Sequence, residues 1–238
     1  MIWKIILAVL FGYAVGNINP SYIIGRLRGF DIRKKGSGNA GASNAVIIMG
    51  KTIGIGSAVF DILKATAVVW LAQYVLFKEV PYAAEIAGVS CIIGHIYPAV
   101  MKFKGGKGLA CLGGAILAFD WRLFLIMLAA EIVLAVALDY ICVVPITASV
   151  LLPLFYGFFG ADGTEWLWRG AGSWWGALIL TVATLAILLR HVENFKRIRN
   201  GTEMHLSYLW KKDKAAELAR VTGGTAPDDT PDNGSENT

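Results

Sequence analysis

Seven stretches of almost uninterrupted apolar residues follow one another between Trp3 and Leu189, and they limit the architectures open to this chain more than any motif does. They run Trp3–Ile24, Ile53–Phe77, Pro81–Met101, Leu109–Phe119, Trp121–Leu138, Val143–Phe159 and Trp174–Leu189. Most approach the roughly 20 residues that a helix needs to cross the ~30 Å hydrocarbon layer of a bilayer. In lipid every backbone N–H and C=O must be satisfied inside the protein, so apolar segments of this length become helices. The fourth is too short to cross alone and is expected as a tilted or partial helix. The predicted fold is an all-α integral membrane protein of about seven transmembrane helices, the fourth one short. Only 16% of the 238 residues are charged, against roughly a quarter in soluble domains. That excludes an ordinary soluble enzyme.

The cations orient the bundle. One set of connections carries Arg26, Arg28, Arg33, Lys34, Lys35 and Lys51, then Lys102, Lys104 and Lys107, then Arg190, Lys196, Arg197 and Arg199. The opposite set carries only Lys4, Lys78, Arg122 and Arg169. Cytoplasmic loops collect Lys and Arg, so seven crossings place the N-terminus outside and the C-terminus in the cytoplasm. The net charge of +5 then reflects topology and anionic lipid heads, and no nucleic-acid partner is expected. Residues 1–210 read as a single polytopic membrane domain and 211–238 as a cytoplasmic tail. From about Thr222 the tail is Gly, Thr, Pro, Asp and Asn, which bury no apolar surface and are expected to be disordered. The first segment has Lys4 as its one early charge and no Ala-x-Ala site, so it reads as a retained span. Cys91, Cys111 and Cys142 sit in or beside apolar segments and read as buried free thiols.

Three polar elements fall on the cation-rich side. The first is Gly36-Ser37-Gly38-Asn39-Ala40-Gly41-Ala42-Ser43-Asn44, directly after Arg33-Lys34-Lys35. Three glycines let successive N–H groups point inward as an anion nest, and Ser37, Asn39, Ser43 and Asn44 add side-chain donors. The second is Lys104-Gly105-Gly106-Lys107-Gly108, where glycines permit close backbone approach to a phosphate and the two ammonium groups neutralise it. It opens onto a helix N-terminus, itself positive. The bland alternative is a topogenic loop with glycines for turning. The third runs His191 to Glu203, where His191 and Asn194 share a helical face and can orient a hydroxyl or donate to an oxyanion. Glu203 can pair with the local cations as an anchor. Asp61 and Lys64, also three apart, form an intramembrane pair that suggests function or, equally, ties helices together. His95, His191 and His205 lack carboxylate or thiol companions at ligand spacing, so no metal and no cofactor are expected.

In these elements, taken with Gly16-Asn17-Ile18-Asn19-Pro20, Asp31–Asn44, Asp61–Lys64 and Gly94-His95 through Gly108, the chain resembles the bacterial membrane glycerol-3-phosphate 1-acyltransferases that use acyl phosphate, the PlsY family. The resemblance runs in family order to about Glu203. It implies a seven-helix fold in the bacterial inner membrane, a site at the cytoplasmic face, and acyl phosphate and glycerol 3-phosphate as substrates. The reaction is acyl transfer to the 1-hydroxyl, giving lysophosphatidic acid for phospholipid synthesis, by a monomer without an acyl-enzyme. Ser37, His191 and Asn194 are then the catalytic candidates. Gly38, Asn39, Gly41, Ser43, Asn44, Lys104, Gly105, Gly106, Lys107 and Gly108 are the substrate-binding ones, with Asp61, Lys64 and Glu203 structural.

The chain departs from the family pattern at Ile47 and Asp139, where arginines are usual, at Cys142 and Pro145, where serines are usual, and at Ser43, where threonine is usual. Losing a charge-assisted phosphate contact costs about 1.5–3 kcal/mol. A relative that acylates another acceptor therefore stays open, as does a transporter of phosphorylated anions.

Overall fold

The computed structural model describes residues 1–140, 142, 144–161, 174–203 and 205–209. The expected tail, 211–238, lies outside them, as does Arg169. Within the described residues the chain forms nine α-helices: α1 (Ile2–Gly16), α2 (Pro20–Leu27), α3 (Ala42–Met49), α4 (Lys51–Leu71), α5 (Ala83–Ile96), α6 (Leu109–Phe119), α7 (Trp121–Leu138), α8 (Val144–Ala161) and α9 (Trp174–Arg199). Four of the helical stretches are long and apolar enough to cross a membrane, those in Lys51–Leu76, Ala83–Met101, Trp121–Leu138 and Trp174–Arg199. The bent pair α1 and α2 makes a fifth if it is one span, and Leu109–Phe119 and Thr147–Gly157 are shorter apolar helices.

The first apolar segment was expected as one helix and is broken into two, bent by 43°. Pro20 explains the break. It disfavours helical geometry at Asn19, which takes φ −121° and ψ 104° and caps α2 by accepting from the Tyr22 N–H at 2.8 Å. The last helix, in contrast, outruns its apolar stretch: α9 continues past Leu189 to Arg199 and so carries His191 and Asn194 on the same rigid element.

The helix α5 is the hub. Its residues are mostly buried, including Ala87, Cys91, Ile92 and Ile96, and they form one core with Val68 and Leu112, Leu180 and Ile187 from α4, α6 and α9. Glycines let α1 lie backbone to backbone on it. A Cβ on Gly12 would stand 2.2 Å from the Ala87 carbonyl oxygen, and one on Gly16 2.2 Å from that of Cys91. In lipid, where apolar side chains gain little by leaving solvent, such close approach is what holds helices together. The opposite extreme is α7, where Leu125, Ile126, Ile132, Val133 and Val136 are exposed, as a helix facing acyl chains requires.

Candidate active site

The first polar loop is built from its own side chains. Asp31 caps a 3₁₀ turn, Ile32–Lys34, and its carboxylate receives the Arg33 guanidinium, Nη2 to Oδ2 at 2.7 Å and Nε to Oδ1 at 2.9 Å. That hydrogen-bonded cation holds the Asp31 pKa down at about 2. Arg33 also donates to the Met101 carbonyl at 2.6 Å and stacks on Tyr22. Counted from sequence as part of the potential around the nest, Arg33 is a strut between the two glycine loops.

Asn44 is the loop's internal brace. Its Oδ1 accepts from the Ser37 N–H at 2.8 Å, and its Nδ2 donates to the carbonyls of Ile32, Lys35 and Asn39. It is fully buried, so its carboxamide serves the loop and not the cavity. Gly36 has φ 57°, and a Cβ there would meet Asn44 Oδ1 at 2.3 Å, which is why that corner takes glycine. Ser37 Oγ accepts from Asn39 Nδ2 and Asn39 Oδ1 from the Gly41 N–H, each at 2.8 Å. The loop then enters α3, with Gly41 as N-cap and Ser43 in the first turn, so the helix's positive end adds to the nest.

The second loop folds under α5. The Gly105 and Gly106 N–H groups each donate at 3.1 Å, to the carbonyls of Ile96 and His95. A Cβ on Gly105 would stand 2.1 Å from the His95 oxygen. Gly108, at φ 87°, caps α6. The Ala40 N–H faces the Gly105 carbonyl at 3.4 Å and Asn19 Nδ2 donates to the Ala40 carbonyl at 3.1 Å, joining both loops to the α1–α2 break.

The third element reaches the same place from α9. His191 and Asn194 are both buried on one face. The Ile187 carbonyl can only accept, so at 2.7 Å it takes the proton of His191 Nδ1 and leaves Nε2 an acceptor in the neutral ring. Asn194 is clamped: Lys107 Nζ donates to its Oδ1 at 2.6 Å, and its Nδ2 donates to Glu203 Oε1 at 2.8 Å. Glu203 Oε2 in turn receives Arg197 Nε at 2.7 Å. Burial pushes the Lys107 pKa down to about 8, with Arg197 adding to the effect and Glu203 opposing it.

These groups line one cavity of about 440 Å³. Ser37, Asn39, Gly41, Ser43, Lys107, Gly108, His191 and Asn194 are on its wall, together with apolar residues such as Ile62, Leu112, Ile116, Phe124 and Met127 and with the carboxylate residue Glu131. Gly38, Asn44, Lys104, Gly105 and Gly106 are not on the wall, and Lys104 is exposed. Ile47 and Cys142, two of the departures, do line it, and burial pushes the Cys142 thiol up to about 11. Asp139 fastens the segment after α9: its carboxylate accepts from the Ser207 N–H at 2.6 Å and stands 3.1 Å from His205 Nδ1. The Pro145 side chain lies outside the described residues.

Sequence distance concealed one grouping. Asp61 and His95 are also on the cavity wall, and ligand atoms of Asp61, His95 and Cys111 lie within 4.8 Å of one another. His95 thus has the carboxylate and thiol companions that spacing alone denied it. Among them stands the Lys64 ammonium, 2.6 Å from Asp61 Oδ1, so a cation already occupies this group.

The family model described as glycerol-3-phosphate acyltransferase matches residues 6–201. Glycerol-3-phosphate acyltransferase 1 of Oceanobacillus iheyensis is 36% identical over 215 residues, 87% of this chain and 97% of that one. The glycerol-3-phosphate acyltransferase of Lactiplantibacillus plantarum is 33% identical over 90% of this chain and 98% of its own. Among solved structures, the chain is similar to PlsY (YgiH), an integral membrane glycerol 3-phosphate acyltransferase, in its glycerol 3-phosphate form. That match has a TM-score of 0.75 and 28% identity over 87% of this chain and 99% of that one. The lysophosphatidic acid form matches with a TM-score of 0.71.

Proposed function

This chain belongs to the glycerol-3-phosphate acyltransferase family, and we propose that its cavity is where a fatty acyl group passes from an acyl phosphate to the 1-hydroxyl of glycerol 3-phosphate. The enzyme is an acyltransferase and its product is lysophosphatidic acid, a precursor of membrane phospholipids. The observation that carries the placement is the convergence of three separate polar elements on one cavity whose remaining wall is mainly apolar. Two phosphates and a hydroxyl require the first, and a fatty chain requires the second.

The hydroxyl oxygen bonds to the acyl carbonyl carbon while the bond from that carbon to the phosphate oxygen breaks; the electron pair of that bond leaves with inorganic phosphate, which also takes up the hydroxyl proton. Phosphate is a good leaving group, so catalysis rests on positioning and charge stabilisation. Ser37, Gly38, Asn39, Gly41 and Ser43 cradle one phosphate. Lys107, with Gly108 beside it, holds the other; Gly105 and Gly106 shape the loop from behind the wall, their N–H groups taken by α5 carbonyls, and Lys104 adds positive potential from outside. His191 Nε2 accepts the hydrogen bond of the attacking hydroxyl, and Asn194 keeps that hydroxyl and Lys107 in register. Asn44, Glu203, Asp61 and Lys64 position these groups.

In the bilayer α1–α2, α6 and α8 count as spans beside the four long ones, which gives seven crossings with the N-terminus outside. The site then faces the cytoplasm of a bacterial inner membrane, and the unit is a monomer. The decisive assay gives purified protein an acyl phosphate and a panel of small hydroxyl acceptors. Glycerol 3-phosphate should yield lysophosphatidate and one inorganic phosphate per turnover. Acylation of a different acceptor alone, or vesicle uptake of glycerol 3-phosphate without acylation, would overturn the assignment.

A further inference from the structure

The buried group around Lys64 does more than tie helices. Besides Asp61, Lys64 Nζ donates to the Ile18 carbonyl at 2.5 Å and the Gly16 carbonyl at 3.4 Å, and stands 3.2 Å from His95 Nδ1. It thereby braces the broken end of α1 against α4 and α5. Its effect on His95 is chemical. An ammonium group has three hydrogens and no lone pair, so the ring nitrogen facing it accepts. The neutral ring then carries its hydrogen on Nε2. Were the ring to take a second proton and turn Nδ1–H to Asp61 Oδ1, which stands 3.4 Å away, Nε2 would still carry one. The remaining tautomer, neutral and bare at Nε2, would give up the 3.2 Å contact with Lys64 for one of 3.4 Å to an Asp61 oxygen that Lys64 already holds at 2.6 Å. Lys64 and Asp61 together therefore favour Nε2 as the donor.

That donor lies beneath the second glycine loop. A Cβ built on Gly106 would stand 2.1 Å from His95 Nε2, and the same residue's N–H donates to the His95 carbonyl at 3.1 Å. Cys111, the third member of the group, offers a thiol, a weak acceptor. His95 is on the cavity wall beside Lys107. Two of the three histidines on the cavity wall are thus set in opposite senses: the Ile187 carbonyl makes His191 Nε2 an acceptor, and the Lys64 ammonium favours His95 Nε2 as a donor.

We propose that His95 is a further substrate-binding residue, whose Nε2–H donates to a phosphate oxygen held on the Gly105–Gly108 loop, with Lys64 and Asp61 as its positioning residues. This rests on the reading of that loop as a phosphate site. The test is a pair of near-isosteric variants. His95→Asn puts an amide where Nδ1 was, keeping an acceptor for Lys64 but leaving no donor at Nε2. His95→Gln puts an amide N–H where Nε2 was. Asparagine should raise the KM of a phosphate substrate tenfold or more with a smaller change in kcat, and glutamine should raise it at least fivefold less. The inhibition constant of inorganic phosphate should follow the same order. A rise for glycerol 3-phosphate assigns the contact to the acceptor, and a rise for acyl phosphate assigns it to the donor.

Equal effects of the two variants, or none, would overturn the proposal. Lys107→Gln tests the loop separately: unchanged phosphate constants there would remove the loop reading itself. Should the His95 variants not fold, nitrogen-15 NMR of the unaltered protein answers instead. The chain has three histidines, and His95 should carry a hydrogen on Nε2 and shift when inorganic phosphate is added. A bare Nε2, or no response to phosphate, would overturn the proposal.

Discussion

Lys107 shows how burial decides what a single side chain can do. Its ammonium is held beside Asn194 in a site where desolvation lowers its pKa from 10.5 to about 8. It is therefore charged at pH 7 and loses that charge as pH rises through about 8. Phosphate monoesters are dianionic above about pH 6, so substrate charge is constant in this window. The value of kcat/KM for the phosphate that Lys107 meets should fall about tenfold per unit above pH 8. Unfolding does not mimic this: the folded pKa is the lower one, so between about pH 8 and 10.5 the unfolded chain binds more protons and this group's contribution to stability rises with pH. A flat profile of initial rates from pH 7 to 9 would contradict the role. Ser37 and His191 make the complementary case. Ser37→Ala removes the hydroxyl that Asn39 orients and His191→Ala the acceptor that Ile187 orients, so each should abolish turnover while leaving the thermal melting profile in detergent within a few degrees of the parent. Near-parental rates in both would remove the site assignment. These residue types were legible because glycine, serine and lysine grouped at a membrane surface have little structural reason to be there. What each atom faces was not: Asn44 and Ser37 read alike in sequence, yet one braces the loop and the other faces the cavity.

Among the elements, α1 and α5 show packing by backbone instead of by side chain. Gly12, Gly16 and Gly94 each leave space that a Cβ would fill at 2.2, 2.2 and 2.4 Å from a backbone oxygen of the partner helix. Forcing larger groups into a packed core costs about 1–3 kcal/mol, and here the obstacle is backbone that cannot rotate away. Gly12→Val should thus lower the melting temperature in detergent by several degrees, and Gly16→Val should also displace the α1–α2 break that Lys64 braces. Gly56, in α4, has nothing within 4 Å. Gly56→Ala should be neutral or stabilise by up to about 1 kcal/mol through helix propensity. Equal losses at Gly12 and Gly56 would refute the packing account. The helix boundaries of α6 and α7 were readable to the residue because Asp120 ends one apolar run and caps the next, accepting from the Arg122 and Leu123 N–H groups. The clasp after α9 was not readable: Asp139 registers in sequence as a missing cation, and only the fold shows it holding His205 and Ser207 across 66 and 68 positions of chain.

For the whole molecule, the claim most open to test is how many times the chain crosses the bilayer. Length and composition alone give four spanning helices, or five with the bent pair. The seven-crossing reading needs α6, whose 11 residues fall short of a full hydrocarbon thickness at ~1.5 Å per residue, and α8, as long as α7 at 18 residues, to cross as well. Two observations support it. The second glycine loop continues into α6 and, by packing under α5, could complete part of that crossing with its backbone satisfied by protein. The three polar elements also meet in one cavity, and the proposed topology accordingly puts the loops before α3 and α6 and the end of α9 at one membrane face. From the α6 loop to the end of α9 the chain passes through α6, α7, α8 and α9, and an even number of crossings is needed to return to the face it left. Four crossings there satisfy this, as would two by α7 and α9 alone, so the shared face excludes three and the packing of the α6 loop is what favours four. Labelling decides it. In a background lacking Cys91, Cys111 and Cys142, Lys78→Cys should react with an impermeant maleimide on intact cells. Lys34→Cys and Lys102→Cys should react only after the inner membrane is opened. Reaction of all three from outside would overturn the orientation, and reaction of Lys34→Cys and Lys102→Cys from different sides would overturn the shared face on which the site depends.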